Sequence, residues 1–465
     1  MPTHRFLGIT VLTDFVLNEG VEGILDNIAG RAGACAVACN PTVTAPGDAA
    51  NGSWQPPADA GASVRLFDRP LWGKRELWVR SGPSFVPNAD LYADTPYRPR
   101  GANDLTDRDG PVVDWFLEAA HARGLQVYFQ VGAVQPPGLR PEDTPRLPDG
   151  AIPSNRMADT GSLASEAIRA YNRAYAHDLL ARYPEVDGLR VDWPEYPCYT
   201  FGELFQDFGK PVETWAEAHG FDFAGIRRDV QALWDYLHGD LTNADLTDLA
   251  SPDRGKFTLL RDLGRFPGVV GWLRLKAALS RDLLRDWRTA LTSAGGTGKQ
   301  LSANAFMPPY TLFTGMDFQG AAEHCDSISA KLYTMHWALM VRFWGDALMA
   351  ANPGLDEALL VRALVNLMDL TDGEPAGLTL ATYDYPEPDA PHPIPNEPQR
   401  RKINQALASV GGATPLYALV HGYGPTDDFR RRLQLAADSP VQGVWINRYG
   451  YLSDEKLDVI REVWH

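Results

Sequence analysis

Eight short runs rich in β-branched and aromatic residues recur along the chain, and helical patterns lie between them. The runs are 6–13, 34–40, 126–131, 188–193, 301–306, 327–334, 415–421 and 443–448. The clearest helical segments are 110–123, 165–183, 426–438 and 453–463. This alternation predicts parallel strands joined by right-handed crossovers, and eight such units close into a barrel. We therefore expect a (β/α)8 barrel fold.

Two connections in this alternation are much longer than the others. One follows the second run, at 41–109, and the other follows the fourth run, at 194–299. Loops that follow barrel strands begin at the C-terminal face, where active sites of this fold class lie. We expect one catalytic domain over 1–465, with both insertions above that face. The stretch 378–383 fits either a ninth strand or a loop.

The charge balance narrows the class of partner. The chain has 59 acidic and 43 basic residues, a formal net charge of −16, whereas nucleic-acid binding needs clustered Lys and Arg. We expect no nucleic-acid partner, and neutral or cationic small substrates fit the charge better.

Apolar runs are shorter than the roughly 18 to 20 residues that span a bilayer, so we expect no membrane partner. The chain opens on a strand-like run without a leader pattern, which predicts a cytoplasmic location.

The four cysteines predict neither disulfides nor a metal centre. They are too few to staple a chain of 465 residues, so we expect reduced thiols. Cys35 and Cys39 have a C-x3-C spacing, but they lie in an apolar run where packing explains them. The histidines show no paired-ligand spacing. We expect no metal and no cofactor.

The most informative segment is 187–196, with the sequence DGLRVDWPEY. Alternation along a strand puts Arg190 and Asp192 on one face, and Asp192 then points into the barrel mouth. Arg190 would supply a cation beside Asp192 and keep that carboxylate ionised. Glu195 follows on the loop, and Pro194 ends the strand's hydrogen-bond ladder and helps to turn Glu195 over the pocket. The alternative is that Asp192 and Arg190 form a structural ion pair.

The run 188–192, GLRVD, resembles the fourth-strand motif of the alpha-amylase clan, in which such an Asp is the glycosyl nucleophile. More of the chain is similar to the hypothetical glycosyl hydrolase families of bacterial barrel proteins. The segments that carry this second resemblance are 124–130 (GLQVYFQ), 325–333 (CDSISAKLY) and 443–450 (GVWINRYG). Together these resemblances imply a carbohydrate-active barrel with Asp192 at its centre.

The chain departs from the alpha-amylase pattern at the fifth strand. The run 301–306 ends near Asn304 and offers no Glu for an acid/base. The acid/base would then be Glu195, Asp14 at the end of the first strand, or a residue of 383–397. Glu195 is our first choice, because glycoside cleavage needs one carboxylic acid beside a second carboxylate.

The other strand ends supply amides, charges and aromatic rings, a mixture that suits sugar hydroxyls and sugar faces. The residues that we predict to bind substrate are Asp14, Asn40, Gln130, Arg190, Trp193, Asn304, Lys331, Tyr333, His421, Asn447 and Arg448. Lys331 could pair with a barrel carboxylate, bind substrate or act as a Schiff-base nucleophile, and we favour the first two. His421 could be a general acid/base or a hydrogen-bonding strand-end residue.

The leading hypothesis is a glycosidase that acts on a small glycoside or oligosaccharide through Asp192 and Glu195. The alternatives are a sugar isomerase, epimerase or lyase that uses a metal or Lys331, and a non-catalytic sugar-binding barrel. Aromatic residues of the first insertion could cover the pocket or form a homo-oligomer interface.

Overall fold

The computed structural model describes residues 5–57, 65–251 and 254–465. The strands in this part of the chain are β1 (Phe6–Thr10), β2 (Ala36–Cys39), β3 (Thr42–Pro46), β4 (Ser53–Gln55), β5 (Leu77–Pro83), β6 (Gln126–Gly132), β7 (Gly188–Asp192), β8 (Gln300–Ala305), β9 (Ser327–Leu332), β10 (Leu416–His421) and β11 (Gly443–Asn447). β1, β2 and β6 to β11 form a closed, all-parallel barrel, in which β11 pairs with β1.

The α-helices, in chain order, are α1 (Thr13–Glu19), α2 (Val21–Leu25), α3 (Asp104–Asp109), α4 (Val112–Ala122), α5 (Glu166–Arg182), α6 (Phe201–Leu204), α7 (Lys210–Ala218), α8 (Phe223–Asp235), α9 (Asn243–Ala250), α10 (Gly255–Arg265), α11 (Gly268–Ser293), α12 (Tyr310–Thr314), α13 (Phe318–Ala322), α14 (Thr334–Ala351), α15 (Glu357–Leu367), α16 (Asn396–Val410), α17 (Thr426–Ala437) and α18 (Asp454–Trp464). Helices separate the consecutive barrel strands, so the fold is the (β/α)8 barrel that the alternation predicted.

Each of the eight runs singled out in the sequence overlaps with one barrel strand. The four helical segments are confirmed as α4, α5, α17 and α18. The undecided stretch near 380 is no strand, because Leu380–Tyr383 forms a short 3-10 helix. The strand and helix periodicities are local properties of the sequence, which is why they locate these elements well.

The barrel has two cores. Between strands and helices lies a large apolar core. Inside the barrel a smaller cluster surrounds Trp445, whose ring contacts the Tyr128 ring at a centroid distance of 5.6 Å. Gly8 faces this ring, and a Cβ atom there would lie 2.3 Å from the Trp445 side chain. The wide Trp445 side chain therefore requires glycine on the neighbouring strand β1.

Three long connections surround the barrel. Segment 41–109 contains a three-stranded antiparallel sheet in the order β3-β5-β4, and its Phe67 packs on Phe15 and Tyr451, which follow β1 and β11. Segment 194–299 contains α6 to α11. The third connection joins β9 to β10 through α14, α15 and α16, and the sequence pattern did not mark it as an insertion.

Cys39 is buried in β2, and the Cys35 thiol donates a hydrogen bond to the Leu7 carbonyl oxygen at 3.4 Å. Within the described ranges, the four cysteines are all free thiols, and no group of three or more His, Cys, Asp or Glu side chains is arranged to hold a metal ion. Among the same residues, no helix is both long and apolar enough to cross a bilayer.

Candidate active site

The C-terminal end of β7 places a carboxylate at the barrel mouth. Asp192 is the last residue of β7, and its register partners are Gly132 on β6 and Asn304 on β8. Its side chain keeps 24% of its surface exposed. Asp192 is therefore a charged group that a ligand can reach at the strand ends, where this fold class performs chemistry.

Lys331 is the cation that pairs with Asp192. Its Nζ lies 2.7 Å from Asp192 Oδ1, and its side chain is only 4% exposed. The same Nζ lies 4.3 Å from the ring centroid of Trp193 and 5.1 Å from that of Phe306. An ammonium group between aromatic faces gains cation–π attraction in addition to the ion pair. The prediction that Lys331 pairs with a barrel carboxylate is confirmed.

The Arg190 guanidinium forms hydrogen bonds with side chains other than Asp192, the partner that the sequence spacing suggested. Its guanidinium donates to Asn304 Oδ1 at 2.9 Å and to Gln130 Oε1 at 3.3 Å, and it lies 3.8 Å from the centroid of the Trp445 ring. Complete burial lowers the pKa of Arg190 to about 10. The prediction that Arg190 pairs with Asp192 is wrong for the direct ion pair, which Lys331 forms, although the Asp192 charge still acts on Arg190. Arg190 lies one inward-facing position deeper in the barrel, where the neighbouring strands offer amide oxygens.

Glu195 is fully buried, unlike Asp192. Its Oε1 accepts a hydrogen bond of 2.6 Å from the Phe306 backbone N–H, and its Oε2 accepts one from the Thr314 hydroxyl. Burial raises the pKa of Glu195 to about 7, although the charge of Lys331 opposes this shift. The expectation that Pro194 helps to turn the Glu195 carboxyl group over the pocket is wrong. The carboxyl group points instead towards the segment that follows β8.

Trp193 joins these two carboxylates through an unusual backbone. Its φ of 63° lies in the left-handed region, which costs a bulky residue about 1 to 3 kcal/mol. Its ring packs against Tyr199 and Phe306, each at a centroid distance of 5.7 Å. These contacts hold the strained turn in place, so that Asp192 and Glu195 point to different surroundings. Strain of this kind often accompanies function.

Two predicted binding residues meet at the ends of β2 and β6. The Asn40 side chain donates a hydrogen bond of 2.9 Å to the Gln130 backbone oxygen, and both residues are partly exposed. Asn304, in contrast, is almost completely buried, and its side-chain oxygen is used by Arg190. Asn40 and Gln130 are thus placed to meet a ligand, whereas Asn304 supports Arg190.

The opposite side of the mouth is formed by β10, β11 and β1. His421 ends β10, its Nδ1 accepts from the Tyr423 N–H at 3.1 Å, and its ring lies 5.0 Å from that of Tyr333. Asn447 ends β11, where its Oδ1 accepts from the Thr10 hydroxyl at 2.7 Å. Because Nδ1 accepts, the ring proton of neutral His421 is on Nε2.

Asp14 lies in the first turn of α1 and not at the end of the first strand. Burial raises the pKa of Asp14, and the nearby charge of Arg448 opposes this shift. The third acid/base candidate, the stretch 383–397, carries its acids at the surface, where Asp384 lies 3.8 Å from Arg342. Asp14 is thus at the mouth, but the acids of 383–397 are turned outward.

The sequence interpretation missed the residues that hold Glu195. Phe306 ends the fifth run, but a backbone N–H that donates to a distant carboxylate carries no sequence signal. Thr314 lies in the short helix α12 and carries no sequence signal. Both contacts depend on how the connection after β8 folds back on the loop after β7.

The closed, all-parallel barrel defines a (β/α)8 barrel, and its charged mouth is a candidate site at the C-terminal ends of its strands. No protein-family model and no curated protein matches this chain.

Several solved structures overlap with it over nearly their whole length. The catalytic domain of beta-amylase from Paenibacillus polymyxa has a TM-score of 0.47 and 10% identity, with coverage of 99% of this chain and 97% of that one. A Group IV chitinase from Ostrinia furnacalis has a TM-score of 0.43 and 11% identity, with 99% of both chains covered. A chitinase from Chromobacterium violaceum has a TM-score of 0.39 and 8% identity, with 98% of both chains covered. These neighbours are glycoside hydrolase barrels. At such scores the fold assignment rests on the closed barrel itself.

Proposed function

We propose that this protein is a glycoside hydrolase-like enzyme that cleaves a small glycoside or oligosaccharide at the barrel mouth. The observation that carries the proposal is the position of Asp192, a partly exposed carboxylate at the end of β7 with the Lys331 ammonium 2.7 Å away. A carboxylate that a ligand can reach at the barrel mouth suits attack on an anomeric carbon or activation of water.

The second carboxyl group of the proposed mechanism is Glu195. Its pKa of about 7 keeps a large fraction of Glu195 protonated near neutral pH, as a general acid requires. The Phe306 N–H and the Thr314 hydroxyl enclose it. Donation of its proton to a leaving group therefore requires that the segment after β8 moves away. If that segment stays closed, Glu195 positions the segment and does not touch the substrate.

The surroundings of Asp192 suit a sugar ring. Trp193, the next residue along the chain, and Tyr333, which follows β9, are partly exposed aromatic residues at the strand ends, and each can lie against an apolar sugar face. Asn40 and Gln130 present amides on the neighbouring strands β2 and β6, where they can meet sugar hydroxyls.

The test is hydrolysis of a panel of aryl α- and β-glycosides by wild type and Asp192→Asn. Asp187→Asn is the matched control, because Asp187 lies just before β7, at the opposite end of the same strand. We expect Asp192→Asn to lose about 1,000-fold or more in kcat/KM, and Asp187→Asn to keep most of its activity per folded molecule. If wild type cleaves no glycoside, or if Asp192→Asn cleaves as fast as wild type, the proposal is wrong.

Imine chemistry at Lys331 is the second candidate function. The observation that favours it is the enclosure of Lys331 Nζ by the Trp193 and Phe306 rings at a strand end, because a poorly solvated lysine is a better nucleophile. Such an enzyme would be a lyase or isomerase acting on a sugar carbonyl, with loss of water as the C=N bond forms. Borohydride treatment with a reducing sugar would then add the mass of the reduced sugar less one water at Lys331. We expect no such adduct, because Lys331 Nζ is held against the Asp192 carboxylate at 2.7 Å.

A further inference from the structure

A cavity of about 220 Å³ opens between the ends of β2 and β6 and the first insertion. Its lining includes Asn40, Gln130, Gln135, Tyr171, Tyr175 and Arg100. Gly132 also lines it, and Gly132 is the register partner of Asp192. Since adjacent strands lie about 4.8 Å apart, the cavity begins one strand away from the proposed reacting carboxylate.

Gly132 leaves room for the side chain that limits this cavity. A Cβ atom at Gly132 would lie 2.5 Å from Gln135 Oε1, so the Gln135 amide folds back over the end of β6. The backbone N–H of Ala133 donates to the Asp192 carbonyl oxygen at 2.7 Å, which ties this turn to the end of β7. The cavity and Asp192 therefore share one backbone frame.

Arg100 is the charged residue of the cavity lining. Its guanidinium donates to the Ser81 hydroxyl at 3.2 Å, and among the described residues no carboxylate lies within 4.0 Å of it. The nearby Arg80 is different, because both of its terminal nitrogens bind the Asp104 carboxylate at 2.7 Å. In a chain with a net charge of −16, an arginine that faces a cavity without an acidic partner is placed to receive an anion.

The base of the mouth is also cationic. Asp192 is balanced by Lys331, whereas Arg190 is fully buried and donates to the amide oxygens of Asn304 and Gln130. The Asp192 charge acts on Arg190 from beyond ion-pair distance, and among the described residues no carboxylate pairs with Arg190 directly. A buried guanidinium without a direct ion pair favours further negative charge near the mouth. Gln130 contacts Arg190 and lines the cavity as well.

We infer that the sugar acted on at this mouth carries an anionic group, a carboxylate or a phosphate, which the cavity holds against Arg100. This inference rests on the proposed function and specifies its substrate class. It reverses the expectation from net charge, which favoured neutral or cationic substrates. The overall charge is a sum over the surface, while the substrate meets only the local field of the mouth.

The test compares aryl glucosides and galactosides with the matching uronides and 6-phospho-glycosides, in both anomeric forms. We expect kcat/KM for one anionic class to exceed the neutral value by about tenfold or more. Arg100→Gln should raise KM for that class about three- to tenfold and leave KM for the neutral glycoside unchanged. Arg100→Lys should lie between, and Arg80→Gln, which removes the same charge from a paired site, should behave as wild type.

The two anionic arms distinguish a carboxylate from a phosphate. Neutral glycosides cleaved as well as both anionic classes, or an equal effect of Arg100→Gln on all substrates, would overturn the inference and leave the proposed function intact. If wild type cleaves no glycoside, the proposed function fails and the inference is tested by calorimetric titration with glucuronate, glucose 6-phosphate and glucose. Anion binding to wild type that is weaker in Arg100→Gln would then support the cavity assignment. Equal anion affinity in wild type and Arg100→Gln, or no detectable anion binding, would refute it.

Discussion

Asp192 and Glu195 are carboxylates three positions apart in the sequence, yet they occupy opposite environments. Asp192 ends a strand, keeps part of its surface exposed and has an ammonium partner. Glu195 lies beyond the strained turn at Trp193, is fully buried and accepts hydrogen bonds from a backbone N–H and a hydroxyl. Residue type and spacing therefore do not define a catalytic pair. The direction of the backbone after the strand decides which carboxyl group faces the mouth.

After the loss expected for Asp192→Asn, the largest effect comes from removing the cation on the Asp192 side. Lys331→Met leaves Asp192 without its partner, and we expect kcat on the best aryl glycoside to fall by about 100- to 1,000-fold. Lys331→Arg keeps the charge and should recover part of this loss. Steady-state kinetics of the two variants measures the difference, and near-wild-type kcat in Lys331→Met would mean that the ion pair has no role in turnover.

The second prediction concerns Glu195 and the pH dependence of the stability of the folded protein. The pKa of Glu195 in the folded chain, about 7, lies above its ordinary value of 4.5, so the folded state holds a proton that the unfolded state has lost between these values. Stability from this group is therefore present below the ordinary value and is lost as the pH rises through about 7, by about 3 kcal/mol at most.

Glu195→Gln has no such titration and resembles the protonated form. We expect the free energy of unfolding of Glu195→Gln, measured with denaturant, to increase relative to that of wild type as the pH rises from about 5 to about 8. Burial lowers the pKa of the Lys276 amine to about 7, and the Glu195 charge opposes this shift, so Lys276 titrates in the same range and Glu195→Gln lowers its pKa further. A difference between wild type and Glu195→Gln that does not change with pH would show that the Glu195 carboxyl does not titrate in this window.

A smaller kinetic effect separates an acid/base from a positioning residue at Glu195. A good leaving group needs little protonation, so loss of a general acid harms poor leaving groups selectively. If Glu195 donates the proton, Glu195→Gln should lose about tenfold or more on an alkyl glycoside relative to a dinitrophenyl glycoside. An equal loss on both substrates would assign Glu195 to holding the Phe306 and Thr314 segment.

The smallest expected effect is that of a chelator. Within the described ranges no cluster of ligands suits a metal ion, and Asp192 is already paired with Lys331. We expect kcat/KM to stay within about twofold after dialysis against EDTA, measured beside an untreated sample. A large loss that a divalent ion restores would favour the metal-dependent sugar isomerase or lyase.

The sequence located the barrel strands because their signal is local. Runs of β-branched and aromatic residues marked all eight strands, and alternation placed Asp192 on the inner face of β7. The pattern did not mark the third long connection, between β9 and β10, because its helices carry the same pattern as ordinary barrel helices. The partner of Asp192 was harder to assign, since Arg190 and Lys331 were both plausible from the sequence.

The sequence by itself determined the repeat of strand and helix, and eight such units close into a barrel. It also determined the face of the strand on which each strand residue lies. What only the tertiary structure decided is which inward residues meet. Strand register brought Lys331 to Asp192 and left Arg190 with Asn304 and Gln130. The fold of the connection after β8 enclosed Glu195. The physical reason is that periodicity depends on neighbouring residues, whereas register and loop packing depend on residues that are far apart in the chain.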